Sequence, residues 1–152
     1  MRRAVRVVVA GGVAAFFAAS CGSAPSSEAV TPAAPAVAPE TKATCEAVGA
    51  AYTQNIGPFA EALTRMVQTT PTTAGRTAAQ QKLKALADSV RAATQSSADA
   101  QLKSDGKQAA DQLRAKSSDA KFFGTIKTAQ DVSTVLGPTL KQWLSPVNHH
   151  CS

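Results

Sequence analysis

Aromatic residues are scarce in this chain, at 5% of 152 residues, whereas alanine fills roughly a fifth of it. A β-sandwich depends on aromatic and β-branched side chains, so this composition argues against one. Alanine loses no side-chain entropy in a helix and therefore favours helix formation. No alternation of apolar and polar residues around a tight turn indicates a hairpin. The sequence therefore predicts an all-α protein with one modest domain.

The chain also lacks the sequence patterns of common catalytic and nucleotide-binding sites. No P-loop, dinucleotide-binding fingerprint or nucleophile elbow occurs. The only histidines are His149 and His150, and the carboxylates are dispersed along the chain. No pattern brings two carboxylates into one apolar pocket, as general acid–base catalysis would need. We therefore predict a protein that is not an enzyme and has no cofactor.

The formal net charge of +6 gives little indication of a nucleic-acid partner. Three of the arginines are Arg2, Arg3 and Arg6, which belong to an N-terminal segment with no acidic residue. The remainder of the chain holds 13 basic and 10 acidic residues. Such a balance is ordinary for a protein surface, and nucleic-acid-binding domains carry a more concentrated basic patch.

Residues 1–20 have the composition of an export signal. The arginine-rich start is followed by about 13 uncharged, mostly apolar residues, from Val7 to Ala19. A membrane-spanning helix needs about 20 such residues, so this run is too short to span a bilayer. It has the length of the apolar core of a signal peptide.

The end of this segment, Ala18-Ala19-Ser20-Cys21, resembles the lipobox of bacterial lipoprotein precursors. Gly22 follows, as is common in that family, whereas Ala18 stands where the family usually has leucine. The alanine-rich, arginine-led style is similar to that of small lipoproteins of high-GC Gram-positive bacteria. The resemblance implies that Cys21 carries a thioether-linked diacylglycerol and becomes the first residue of the mature chain. Two acyl chains would anchor the protein on the extracytoplasmic face of the cell membrane.

Two alternatives for export stay open. Ordinary secretion with cleavage near Cys21 would leave no lipid anchor. Arg2-Arg3 is compatible with the twin-arginine route, although the residues after this pair lack the usual pattern.

Residues 21–43 differ in composition from residues 44–152, because they contain Pro25, Pro32, Pro35 and Pro39 and few large apolar residues. Such a segment buries too little surface to offset the entropy of ordering. We therefore predict a flexible tether over 21–43 and a folded domain over 44–152.

Four segments of the predicted domain repeat apolar residues at steps of three or four, which is typical of amphipathic helices. The first begins at Thr44 as an N-cap, the second follows Thr70-Pro71, the third starts near Ser96, and the fourth runs from Ser118 to Ser145. Short polar connections favour a four-helix up-down-up-down bundle. Gly57-Pro58 and Gly137-Pro138 predict kinks or short breaks in the first and fourth helices.

The third helix is the least regular of the four. Gly106 costs about 1 kcal/mol relative to alanine, unless it serves the close approach of a neighbouring helix. Its outer face carries mixed charges, and Asp99 with Lys103 has the spacing of a favourable pair. We interpret this face as solvated, and a weak contact with anionic wall polymers or lipid headgroups stays open. The charged residues are Asp99, Lys103, Lys107, Asp111 and Arg114.

If Cys21 is acylated, Cys45 and Cys151 are the two remaining cysteines. In an up-down-up-down bundle the start of the first helix and the end of the fourth lie at the same end. We therefore predict a disulfide between Cys45 and Cys151, which an exported location permits. Free thiols and pairing between chains are the alternatives. A metal site at His149-His150-Cys151 is disfavoured, because adjacent side chains on a chain end seldom converge on one ion.

The two Gly-Pro pairs also suggest a ligand site. Kinks side by side would open an apolar groove lined by Ile56, Phe59, Leu136 and Leu140, although simple kinks in a packed core are the more conservative interpretation. We predict a membrane-anchored, non-catalytic interaction or structural module of the cell envelope, whose partner is an unidentified envelope protein. The alternative is a carrier for a small apolar ligand or lipid.

Overall fold

The computed structural model describes residues 38–68 and 73–152. Within these ranges the chain is a bundle of α-helices without a strand, as the composition predicts. The helices are α1 (Pro39–Gln68), α2 (Thr73–Gln95), α3 (Ala100–Ser117), α4 (Ala120–Thr125), α5 (Ala129–Thr134) and α6 (Leu140–Asn148), with a π-helical turn at Val135–Thr139. The predicted signal peptide 1–20, Cys21 and most of the predicted tether lie outside the described residues.

Helix α1 lies along α2, α2 lies along α3, and α3 packs against α6, while α1 also contacts α5. Their apolar stripes meet in one core, which confirms the helical bundle. The largest fully buried side chains include Phe59, Leu63, Leu83, Leu86, Leu102, Leu113, Phe123 and Leu140. Phe122 packs edge-on against Trp143, with ring centroids 5.3 Å apart.

Helix α1 begins at Pro39, five residues before the predicted start at Thr44. Proline suits the first turn of a helix, because its missing amide has no helical partner there. Glu40 adds a favourable negative charge at the same terminus. Thr44 is consequently an interior residue, and its hydroxyl donates to the Glu40 carbonyl at 3.1 Å. The folded part therefore takes in the last residues of the predicted tether.

Helix α1 continues through Gly57-Pro58 without a break, since both residues lie on the exposed face. Proline cannot donate to the carbonyl four residues earlier, and on the exposed side of a helix water can donate to that carbonyl instead. At Gly137-Pro138 the predicted irregularity is present, as the π-helical turn between α5 and α6. A π-turn inserts one extra residue into the helical ladder, and proline is a common cause of such distortions.

The predicted fourth helix is divided into α4 and the α5–α6 segment. Ile126 has an extended backbone and is buried, so it ends α4 while it stays anchored in the core. Thr128 and Asp131 then form a reciprocal capping box that starts α5. The side chain of Asp131 accepts from the Thr128 amide at 2.9 Å, and the Thr128 hydroxyl accepts from the Asp131 amide at 3.1 Å. A capping box satisfies the free amides of a new helix, which explains the interruption.

Helices α2 and α3 pack tightly at Gly106. A β-carbon built on this residue would overlap the Thr94 side chain. Thr94 is itself buried, and its hydroxyl donates to the Val90 carbonyl at 3.0 Å, so it cannot easily turn away. The glycine thus serves the close helix packing that the sequence suggested.

Candidate functional site

The first and last parts of the described domain are joined by a disulfide between Cys45 and Cys151. Their Cα atoms lie 5.5 Å apart, inside the usual range for a disulfide. Cys45 lies on the second turn of α1 and is partly buried, whereas Cys151 follows the end of α6 and is exposed. We call this end of the bundle, with residues 38–45, 93–106 and 148–151, the disulfide end.

A second link fastens the C-terminus at the same end. His150 Nε2 lies 2.8 Å from Asp105 Oδ2, and the two side chains are only 22% and 17% exposed. Gln101, one turn earlier on α3, donates to the other carboxylate oxygen of Asp105 at 3.1 Å. The hydrogen bond from His150 is the main cause that holds the pKa of Asp105 below its ordinary value. The pair therefore ties the segment after α6 to α3.

This pair gives the fold a dependence on acidity. The pKa of Asp105 is lower in the folded chain than in the unfolded one, so the ionised carboxylate stabilises the fold. This contribution to the free energy of unfolding is complete above about pH 4 and is lost as the pH falls through the folded-state pKa. We expect Asp105→Asn to reduce the free energy of unfolding at pH 7, and to reduce it less as the pH falls toward 2. Urea unfolding at both pH values measures this difference, and an equal loss at both would contradict it.

The residues weighed for a metal site are engaged in other contacts. Cys151 is held in the disulfide, and His150 faces Asp105. Among residues 38–68 and 73–152, no three side chains of His, Cys, Asp or Glu converge in a way that would hold a metal ion. None of the helices in the same ranges combines the length and the apolar character that crossing a membrane requires.

The four residues predicted to line a groove are divided between core and surface. Phe59 and Leu140 are fully buried, at 0% and 1% exposure, so they are core residues. Ile56 and Leu136 are partly buried and pack against that core. These four side chains therefore pack in the core or against it.

An open groove of about 440 Å³ does lie between α1 and the segment that ends the chain, closer to the disulfide. Val48, Tyr52 and Leu144 give it an apolar surface, and Lys141 adds one positive charge. Gly49 and Gly137 widen it, because neither has a side chain and a β-carbon at either would meet nothing within 4 Å. A concave, mostly apolar surface with one cation suits an apolar chain that carries an acidic group.

Sequence reasoning missed Asp105 and Lys141 as residues of this region. Asp105 lies 45 positions before its partner His150, and no local pattern links them. The sequence marks Gly137 as a helix breaker, and the lack of a side chain beside an apolar stripe is the signal that indicates a groove there.

Comparison with known proteins gives no relative: no protein-family model matches the chain, and neither the curated proteins nor the solved structures provide a match.

Proposed function

We propose that this chain is an exported lipoprotein, tethered through Cys21 to the extracytoplasmic face of the cell membrane, whose helical domain is a non-catalytic interaction or structural module of the envelope. The observation that carries the proposal is the pairing of Cys45 with Cys151. Stable disulfides form in oxidising compartments outside the cytoplasm. The pairing leaves Cys21 as the single remaining cysteine, at the position where the sequence resembles a lipobox.

The length of the proposed tether and the point where it joins the domain agree with this role. The chain is joined to the domain at Ala38, which lies at the disulfide end, so α1 begins where the proposed tether stops. Only 17 positions separate Cys21 from Ala38. Their contour length is at most about 60 Å, which would keep the domain close to the membrane.

Fractionation of cells that produce the full chain tests the anchor. We expect the wild-type protein in the membrane fraction, resistant to high salt and released by detergent, because two acyl chains anchor a protein stably through apolar contact that salt does not weaken. Cys21→Ser removes the acylated atom and should move most of the protein to the aqueous phase of a detergent partition after leader cleavage, or leave it as an uncleaved precursor. Cys151→Ser is the matched control, since it removes a cysteine without touching the anchor. A Cys21→Ser chain that is processed and partitions like the wild type would refute the proposal.

The groove beside the disulfide supports a second candidate function, the binding of a small apolar molecule with an acidic group. Gly49→Leu would place a side chain in the groove, whereas Gly57→Leu adds the same side chain to an exposed part of α1 that does not line it. We expect Gly49→Leu to weaken binding of a fluorescent fatty acid at least tenfold, with Gly57→Leu unchanged. Equal affinities for the two variants would exclude this groove as the binding site.

A further inference from the structure

A second concave surface lies on the other side of the disulfide end, between the last turns of α2 and the first half of α3. It is an open pocket of about 500 Å³. Its lining contains three cationic side chains and no acidic one: Arg91, Lys103 and Lys107, together with Thr94, Gln95, Ala100 and Ser104.

The tight packing at Gly106 explains why these cations meet. Because Gly106 allows α3 to approach Thr94 closely, Arg91 on α2 lies beside the α3 face that carries Lys103 and Lys107. Lys103 and Lys107 are four residues apart and therefore share one face of the helix. The same packing brings Ser104 and Gln95 to the pocket, where a hydroxyl and an amide can donate hydrogen bonds.

One carboxylate compensates part of this charge. Asp111 lies 2.8 Å from Arg91 and 2.7 Å from Lys107, outside the pocket lining. Lys103 has no ion-pair partner among the described residues, and Asp99 instead caps α3 by accepting from the amides of Gln101 and Leu102. The predicted pairing of Asp99 with Lys103 is thus replaced by a helix cap, and the pocket keeps an excess of positive charge.

We propose that this pocket binds the phosphate of an anionic phospholipid headgroup on the membrane that carries the tether. Three cations from two helices suit a phosphate group, which attracts lysine as a point charge and arginine through paired hydrogen bonds. The connection from α2 to α3 that borders the pocket meets the start of α1, since Ser96 and Ala98 line one surface depression together with Glu40. The pocket therefore lies near the end of the bundle where the proposed tether joins the domain. A tether of this length holds the domain at a high effective concentration near the headgroups, so a weak site is sufficient.

This inference rests on the proposed membrane tether for its biological setting, but binding to the headgroup is measured on a chain that lacks the lipid anchor. The full chain carrying Cys21→Ser is mixed with vesicles of phosphatidylcholine alone and with vesicles that contain phosphatidylglycerol. Residues 1–20, with Arg2, Arg3 and Arg6, are the same in every variant, so their attraction to the anionic vesicles cancels when variants are compared. The Cys21→Ser fractionation then reports on the tether alone, so the two proposals can fail separately.

In this background we expect Lys103→Gln with Lys107→Gln to weaken partitioning to the anionic vesicles about twenty-five-fold, from roughly fivefold for each cation near the surface. The matched control is Lys82→Gln with Lys84→Gln, which removes the same charge from exposed positions of α2 outside the pocket. It should weaken partitioning threefold or less. Asp111→Asn removes the compensating carboxylate and should strengthen partitioning about fivefold.

Equal losses in the two lysine pairs would mean that general surface charge is responsible and would overturn the proposal. Inorganic phosphate provides the second arm. If the chain binds inorganic phosphate at millimolar concentration but shows no preference for anionic vesicles, the pocket is a site for the free anion. That result would overturn the assignment to a headgroup. A preference for anionic vesicles that Asp111→Asn strengthens and the pocket lysines carry would support it.

Discussion

Loss of the Cys45–Cys151 disulfide is expected to lower the free energy of unfolding by about 4–5 kcal/mol. The two cysteines are 106 positions apart, so the bond closes a loop that contains almost the whole described domain. In the chain-entropy account, a loop of this length restricts the unfolded chain strongly. The loss would be a large share of the roughly 5–15 kcal/mol that typically stabilises a domain. Urea unfolding of the wild type and of Cys45→Ser with Cys151→Ser measures it.

The reductant provides the control for this experiment. Dithiothreitol should lower the stability of the wild type to that of the double serine variant and should not alter the variant. A wild type whose unfolding midpoint does not respond to reductant, under conditions in which both thiols are shown to be free, would contradict the role assigned to this bond.

The second large effect is expected at Gly106. Gly106→Ala places a β-carbon against the buried Thr94, so α2 and α3 must separate. Overpacking of this kind costs about 1–3 kcal/mol, and we expect the upper part of that range because the obstructing atoms are close to the backbone of α2. Gly49→Ala is the matched control, since a β-carbon there meets nothing within 4 Å on an exposed part of α1. It should stabilise the fold by up to about 1 kcal/mol.

A double-mutant cycle separates steric overlap from a general effect of helix propensity. Thr94→Gly removes the obstructing side chain, and Gly106→Ala in that background should cost much less than it does alone. Additive losses in the two single variants and the double variant would contradict the close packing at this position.

The helical periodicity predicted the class of fold, because the apolar stripe of each helix is buried against the stripes of its neighbours. It also predicted the disulfide, since the direction of four antiparallel helices brings Cys45 and Cys151 to one end. The ends of the helices were harder to predict from the sequence. Pro39 belongs to a proline-rich stretch that suggests a linker, yet its position at the start of α1 makes it compatible with the helix. The division at Ile126 could have been noticed, because Thr128 and Asp131 have the spacing of a capping box.

The candidate sites were harder to predict, because they depend on which apolar side chains are covered. The spacing of Phe59 and Leu140 shows that both lie on apolar faces, and only the packed bundle shows that they are core residues rather than groove residues. The contact of Asp105 with His150 and the meeting of Arg91 with Lys103 join distant parts of the chain. Such contacts depend on which helices pack together. Gly106 indicates that another helix packs closely against α3, but the sequence does not show that this helix is α2.

The central claim divides the three cysteines between an acylated Cys21 and a disulfide-bonded pair. Intact mass spectrometry of the protein extracted from membranes, with and without reduction and thiol alkylation, tests this division most directly. We predict a chain that begins at Cys21, carries a diacylglycerol, and accepts two alkyl groups only after reduction. A chain that retains Arg2 and Arg3, or one in which Cys21 is alkylated without reduction, would contradict the account.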